Sequence, residues 1–268
     1  MQNGKVGFKD GQGNNVIKPV FASLDNFSEG LAAAGIGADA SNALYGFINE
    51  RSEWVVKPQY NGAGSFSEGL AAVNQAGKWG YMDKDGKWAI LPQFYLARPF
   101  RDGHAAACKN NKWGIIDKTG AFVVPNLYYS VTNLYNGVLG VCKEPASKWQ
   151  VIDTKGNAVS KNTFTKIKDF CDGLAPAADD SDMYGFITPM GEWAITPKFT
   201  DAGSFSEWLA LVEIDYNGWG FIDKTGEVVI KQLYDKGGGF EHGYALMEKG
   251  NEYLYINKKG EVVLRFSK

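Results

Sequence analysis

Six acidic residues stand beside a glycine or its equivalent at one recurring point of this chain: Glu29, Glu68, Asp102, Asp172, Glu207 and Glu241. Carboxylates brought together in pairs can run general acid-base chemistry, so this column is the first place to look for a reaction. A catalytic residue, however, is needed once and not at every period. An acceptor beside a tight turn has a nearer use: it satisfies backbone amides the turn leaves open, or pairs with the lysine that follows a neighbouring strand. The only two histidines, His104 and His242, flank the glycine of the same turn in two copies. Neither lies near a serine or cysteine in an activating motif, and no G-x-S-x-G, H-E-x-x-H or P-loop stretch occurs. No catalytic residue is assigned, and the expectation is a protein that is not an enzyme.

Metal and cofactor chemistry has little to work with. Three cysteines is an odd number, and Cys108, Cys142 and Cys171 show no CxxC spacing, which argues against a disulfide framework and a zinc site. Cys108 and Cys142 hold the same place in consecutive copies of the turn, after Gly103 and Gly137. They read as two free thiols on adjacent strands or, alternatively, as a redox or metal pair. The run Asp179-Asp180-Ser181-Asp182 lacks the distal glutamate of an EF-hand and reads as a solvated loop, with calcium as the alternative. The expectation is no cofactor and no metal.

Tryptophan offers a different chemistry, that of stacking and anchoring. Trp79, Trp113, Trp149 and Trp219 stand at a repeat-defining site and read as core. A second set, Trp54, Trp88 and Trp193 with Phe122, occupies a position held by Asn15, Ala158, Val228 and Val262 in the other copies. A fully packed slot rarely accepts that range of volumes, so partial exposure follows. Exposed rings one repeat apart could stack on sugars or anchor a protein; alternatively they cover the groove between neighbouring sheets. Trp54, Trp88, Phe122 and Trp193 are the candidate binding residues.

The elements that must carry these residues recur throughout the chain. An aromatic-Gly-apolar segment is seen in Lys78-Trp79-Gly80-Tyr81-Met82-Asp83, Lys112-Trp113-Gly114-Ile115-Ile116-Asp117 and Gly218-Trp219-Gly220-Phe221-Ile222-Asp223. With five worn copies its glycine column runs Gly7, Gly46, Gly80, Gly114, Gln150, Gly185, Gly220, Leu254, in steps of 34 to 39 residues. Such a step marks a repeat architecture in which each unit buries its apolar face against its neighbours. A second landmark keeps the beat, as in Phe27-Ser28-Glu29-Gly30-Leu31-Ala32 and Phe66-Ser67-Glu68-Gly69-Leu70-Ala71, and between the two lies a segment such as Val55-Val56-Lys57-Pro58-Gln59-Tyr60.

Together the Trp-Gly strand, the D-K-x-G turn, the V-I-x-P-x-Y/F segment and the F-S-E-G-L-A element resemble the bacterial WG-repeat family over essentially all 268 residues. The resemblance implies an all-β repeat array and brings no reaction, cofactor or catalytic residue with it.

Each unit offers three short strands. The Trp-Gly strand turns through a segment such as Lys84-Asp85-Gly86 into a β-branched strand that the proline is expected to end. A third, alanine-rich strand such as Leu70-Ala71-Ala72-Val73 then leads directly to the next Trp-Gly strand and pairs with it. The expected fold is thus all-β, an array of seven to eight three-stranded antiparallel units forming one continuous domain over residues 1–268. Seven third strands against eight hairpins favour an open twisted array; a closed propeller-like ring is the alternative.

Bulk properties narrow the partners. With 28 basic and 30 acidic side chains the net charge is −2, leaving no electrostatic footprint for nucleic acid or an anionic membrane. No apolar run reaches the roughly 18 residues of a membrane helix, so no membrane insertion is expected. The start, Met1-Gln2-Asn3-Gly4-Lys5, shows no apolar signal segment, and the cysteines show no disulfide pattern; both favour the cytoplasm, with export open if a leader has been removed. The sequence therefore points to a noncatalytic scaffold for a protein partner. Glycan or cell-envelope binding through the second aromatic set is the alternative, and an enzyme with an unrecognised site the most remote.

Overall fold

Among the described residues of the computed structural model, all regular structure apart from one 3-10 turn at Ala40–Asn42 is β-strand. The structure describes residues 4–10, 12–214 and 218–268; residues 1–3, on which the reading of the N-terminus rests, lie outside them. Among the described residues no helix is long and apolar enough to cross a membrane.

Pairing follows the expected order. In one representative sheet the third strand, Leu70–Gln75, pairs antiparallel with the following Trp-Gly strand, Lys78–Asp83, with Val73 opposite Gly80. The Pro strand, Trp88–Phe94, lies on its other side. A two-residue strand, Gly62–Ala63, adds a fourth member before the third strand. Among the described residues six sheets have these four strands, one has three, and the first hairpin, Val6–Lys9 with Asn15–Phe21, stands as two. The chain divides into two compact units, Met1–Leu127 and Tyr128–Lys268.

Within each unit the sheets stack through alternating side chains, because successive residues of a strand point to opposite faces. In the first unit Leu31, Ala33, Phe47, Val56 and Tyr60 of one sheet meet Phe66, Ala71, Val73 and Met82 of the next. The phenylalanine of each F-S-E-G element is the plug: Phe66 lies 4.7 Å from Phe47, and Phe100 4.6 Å from Tyr81. The second unit repeats the device, with Phe205 4.8 Å from Phe186 and Phe240 4.7 Å from Phe221. Alanines such as Ala32, Ala71 and Ala105, all fully buried, let the sheets approach.

The proline does not end its strand. Trp54–Tyr60 runs through Pro58, but Tyr45 faces Tyr60 while Phe47 faces Val56, so two steps on the Trp-Gly strand oppose four on the Pro strand. The surplus residues bulge, and a proline in a bulge removes no ladder donor. That bulge crosses the glycine column. A Cβ at Gly46 would lie 2.3 Å from the Val56 carbonyl oxygen, and one at Gly80 2.5 Å from that of Ile90, closer than any side chain tolerates. Glycine is therefore required by backbone approach.

The two copies without glycine behave accordingly. Where Leu254 takes the place, Leu254 lies opposite Arg265 and Tyr255 opposite Leu264, so the bulge across the column is gone and only a shift between Tyr255 and Ile256 remains. Where Gln150 takes it, the Pro strand is reduced to isolated bridges, Ile152 to Ala158 and Trp149 to Phe164. This is the three-stranded sheet.

The last sheet differs on one face. Tyr244 and Tyr255 are 49% and 37% exposed, whereas their counterparts Leu31 and Phe47 are 8% and 0% exposed.

Candidate functional site

The F-S-E-G element is a two-residue hairpin. Ser28 and Leu31 exchange both backbone hydrogen bonds, and Glu29 and Gly30 between them have φ of 55° and 88°. This is the type I′ geometry that suits the twist of flanking strands and ordinarily demands small or glycine residues. The copies align on this geometry, and they correct one reading of the sequence. His242, with φ 53°, holds the place of Glu29, and Glu241 holds that of Ser28.

Three acids of the column join neighbouring turns. In the first unit the Gly69 amide donates to Glu29 Oε2 at 3.1 Å, and Lys84 Nζ lies 3.0 Å from the same carboxylate. Glu68 receives the Gly103 amide at 3.0 Å and Lys118 at 3.1 Å. In the second unit Glu207 receives Gly243 at 3.0 Å and Lys258 at 2.8 Å. Each carboxylate thus ties its own turn to the turn and the Trp-Gly hairpin of the following repeat, doing both tasks expected of it. The lysine hydrogen bonds hold Glu29 and Glu207 below the usual carboxylate range. Serines add a parallel tie: Ser28 Oγ donates to the Phe66 carbonyl at 2.7 Å and Ser67 Oγ to that of Phe100 at 2.6 Å.

The candidate rings occupy one slot. Trp54, Trp88, Phe122 and Trp193 each open a Pro strand and are half-buried. Each meets an aromatic of the preceding repeat edge to face: Phe21 to Trp54 at 5.8 Å, Tyr60 to Trp88 at 5.7 Å, Phe94 to Phe122 at 6.0 Å and Phe164 to Trp193 at 5.2 Å. The rings thus spend part of their surface on the groove between sheets and leave part open. Trp79, Trp113, Trp149 and Trp219, read as core, are half-buried too; Arg98 lies 5.2 Å over the Trp113 ring.

Other singled-out residues have local partners. Cys108 and Cys142 are buried free thiols, and burial pushes the Cys108 thiol up. Asp179 Oδ1 accepts from the Ser181 and Met183 amides, Asp180 pairs with Lys148, and Asp182 accepts from the Thr165 hydroxyl. Among the described residues no three His, Cys, Asp or Glu side chains are placed to hold a metal ion.

The sequence reading missed Trp208. It stands where Gly30, Gly69, Gly103, Gly137, Gly173 and Gly243 stand in the other turns, yet keeps φ at 78°. A bulky side chain in that region is an outlier that the surroundings must enforce. Its amide donates to Asp172 Oδ2 at 3.0 Å, and Lys224 Nζ, which also donates to the Asp172 carbonyl, lies 4.2 Å from the ring centroid. The residue is 68% exposed. The missing glycine was visible in Phe205-Ser206-Glu207-Trp208; its meaning depended on knowing that the slot has positive φ.

Comparison with protein families matches the WG containing repeat to residues 7–37, 45–79, 79–113, 113–149, 184–217 and 219–253. The chain belongs to the WG containing repeat family. Besides 1–6, 38–44 and residue 218, two longer stretches escape the WG-repeat match, 150–183 and 254–268. These two longer stretches begin at Gln150 and Leu254, the two positions where the glycine column breaks. Comparison with curated proteins gives no match.

Among solved structures the WG-repeat chain is similar to one described as the eukaryotic initiation factor, at 12% identity over 92% of this chain and 76% of that one, TM-score 0.61. It is similar to the computationally designed Ika8 protein, at 8% identity over 92% and 86%, TM-score 0.55. Hsv2p of Kluyveromyces lactis is similar at 7% identity over 92% and 98%, TM-score 0.53. Identities this low speak for fold alone.

Proposed function

We propose that this WG-repeat chain is a noncatalytic scaffold that binds a protein partner, with Trp208 as an anchor. The observation that carries the reading is a tryptophan held at φ 78° and 68% exposed in a turn where the other copies keep glycine. Strain of this kind persists where the surroundings over-determine it and is concentrated at functional positions. Tryptophan is also the residue most enriched among interface hot spots. Around it stand Lys224 on the ring and the Glu207–Lys258 ion pair, a polar rim about an apolar centre, which is the make-up of a protein interface. Four of the repeated acids support the same reading, since Glu29, Glu68, Asp172 and Glu207 each accept a turn amide.

The test is capture from native extract, followed by affinity measurement with the purified partner against wild type and Trp208→Gly. Glycine is native to this turn, so the variant keeps the fold. The expected result is a loss of about tenfold or more, the scale of a hot-spot residue. A partner that binds both proteins equally would remove Trp208 from the interface. A glycan array run beside it tests sugar binding by Trp54, Trp88, Phe122 and Trp193, whose half-buried rings leave a smaller stacking face than an open row would.

A further inference from the structure

The slot that Trp54, Trp88, Phe122 and Trp193 fill is empty in one repeat of the second unit. There the ring of the preceding repeat is Tyr128, and the residue that should cover it is Ala158. A cavity of about 280 Å³ opens at this point, walled by Tyr128, Val141, Ile152 and Ala158. Gln150 and Lys148 stand on its polar side. Gln150 is the same residue that breaks the glycine column, and its Nε2 donates to the Ser160 carbonyl at 3.3 Å, within the segment that has left the ladder. Two substitutions in one repeat, Gly to Gln and aromatic to Ala, therefore converge on one opening.

The geometry points to this cavity as a receptor for a single aromatic side chain, indole or phenol, presented by a protein partner. The chain itself supplies the template. In four other repeats an aromatic ring of its own takes this place, edge to face with the preceding ring at centroid distances of 5.2 to 6.0 Å. Pairs of that geometry gain beyond the area they bury. At about 280 Å³ the cavity has room for one ring. The Gln150 amide and the Lys148 ammonium, paired with Asp180, offer polar contacts to an indole N–H, a phenol hydroxyl or the peptide that carries the ring. The choice of a protein side chain over a free aromatic compound rests on the scaffold reading above.

The probe is a blocked tripeptide with tryptophan at its centre, compared with its leucine counterpart and with free indole, titrated into the isotope-labelled full chain. Backbone amides of Val141, Ile152 and Ala158 are expected to shift saturably with the tryptophan peptide in the millimolar range, and not with leucine. Ala158→Trp, which gives this repeat the ring its neighbours have, is expected to abolish the shifts and raise Tm. Ala158→Phe serves the same end with a smaller ring. Absence of saturable shifts in wild type, or shifts unchanged in the folded variants, overturns the proposal. Binding of indole without the peptide overturns the partner as source of the ring.

The two functional readings separate in the capture experiment. A partner lost with Trp208→Gly but held at full affinity by Ala158→Trp leaves the scaffold standing and overturns the pocket as a partner site. A partner weakened about tenfold or more by Ala158→Trp and untouched by Trp208→Gly supports the pocket and removes Trp208.

Discussion

Trp208 holds a backbone conformation that six counterparts leave to glycine, and the cost of that is measurable. Trp208→Gly relieves the strain but restores the unfolded-state entropy of glycine, two terms of opposite sign. The net expectation is a gain of about 1 kcal/mol, read as a rise in the urea midpoint without a change in slope. The same variant should lose its partner, so stability and binding move in opposite directions. The acids make a second residue-scale prediction. Glu29 and Glu207 have depressed values in the folded state, chiefly from the lysine hydrogen bonds, so the stability they add is complete above the ordinary glutamate range. It is lost as pH falls through the depressed values. Glu29→Gln is expected to cost about 0.5 kcal/mol at pH 7, the scale of a largely solvated pair, and the difference from wild type should vanish in strong acid. Denaturation curves across pH would show a constant difference if this linkage is absent. The roles of these acids were legible in sequence because a column repeated at a turn already argues against catalysis. The place of Glu241 was legible as well, since Phe240-Glu241-His242-Gly243 laid on Phe27-Ser28-Glu29-Gly30 puts His242 at Glu29, and the pairing of Glu241 with Tyr244 agrees.

Gly80 and Leu254 stand in the same column of the Trp-Gly strand and require opposite residues. Gly80→Ala puts a Cβ 2.5 Å from the Ile90 carbonyl and 2.7 Å from Pro92 N, so the bulge has to move. A cost of about 3 kcal/mol is expected, in the upper range for single substitutions. Leu254 is 4% exposed and pairs in register with Arg265, and Leu254→Gly should cost a similar amount through a cavity and a looser strand. Thermal unfolding of both variants checks this, and a neutral Gly80→Ala would mean the bulge is not fixed. The repeating strands, their order and the tight turns were legible from spacing, β-branched runs and turn glycines. The bulge was not, since proline near the end of an apolar run reads equally as a stop. The short fourth strand was also hidden, because two residues such as Gly62 and Ala63 carry no periodicity. At the ring position the range from Ala to Trp announced something unusual; which repeat held the opening depended on Tyr128, Gln150 and Ala158 meeting in space.

Across the whole molecule, each sheet depends on its neighbours, as expected of a repeat array. The last sheet leaves Tyr244, Leu246, Tyr255 and Leu264 exposed on one face, and the first hairpin has only two strands. Amide hydrogen exchange should therefore be fastest in Val6–Lys9, Asn15–Phe21 and Val262–Ser267, and slowest in the alanine-rich strands Leu70–Gln75 and Ala210–Glu213. Uniform protection would contradict local dependence on neighbours.

The ties made by the turn acids run one way along the chain. Glu29 waits for Lys84, Glu68 for Lys118 and Asp172 for Lys224, at separations of 55, 50 and 52 residues. A ribosome makes the acid first and its partners later. Each of these repeats then leaves the exit tunnel unfinished and is closed by a later one, so a force-sensing arrest peptide moved along the gene should record pulling events after each of these acids, once its lysine has emerged. Evenly graded tension would mean that the repeats close independently. If the steps are found, translation itself proofreads the order of the array, since a newborn carboxylate meets its own successor before any more distant repeat exists.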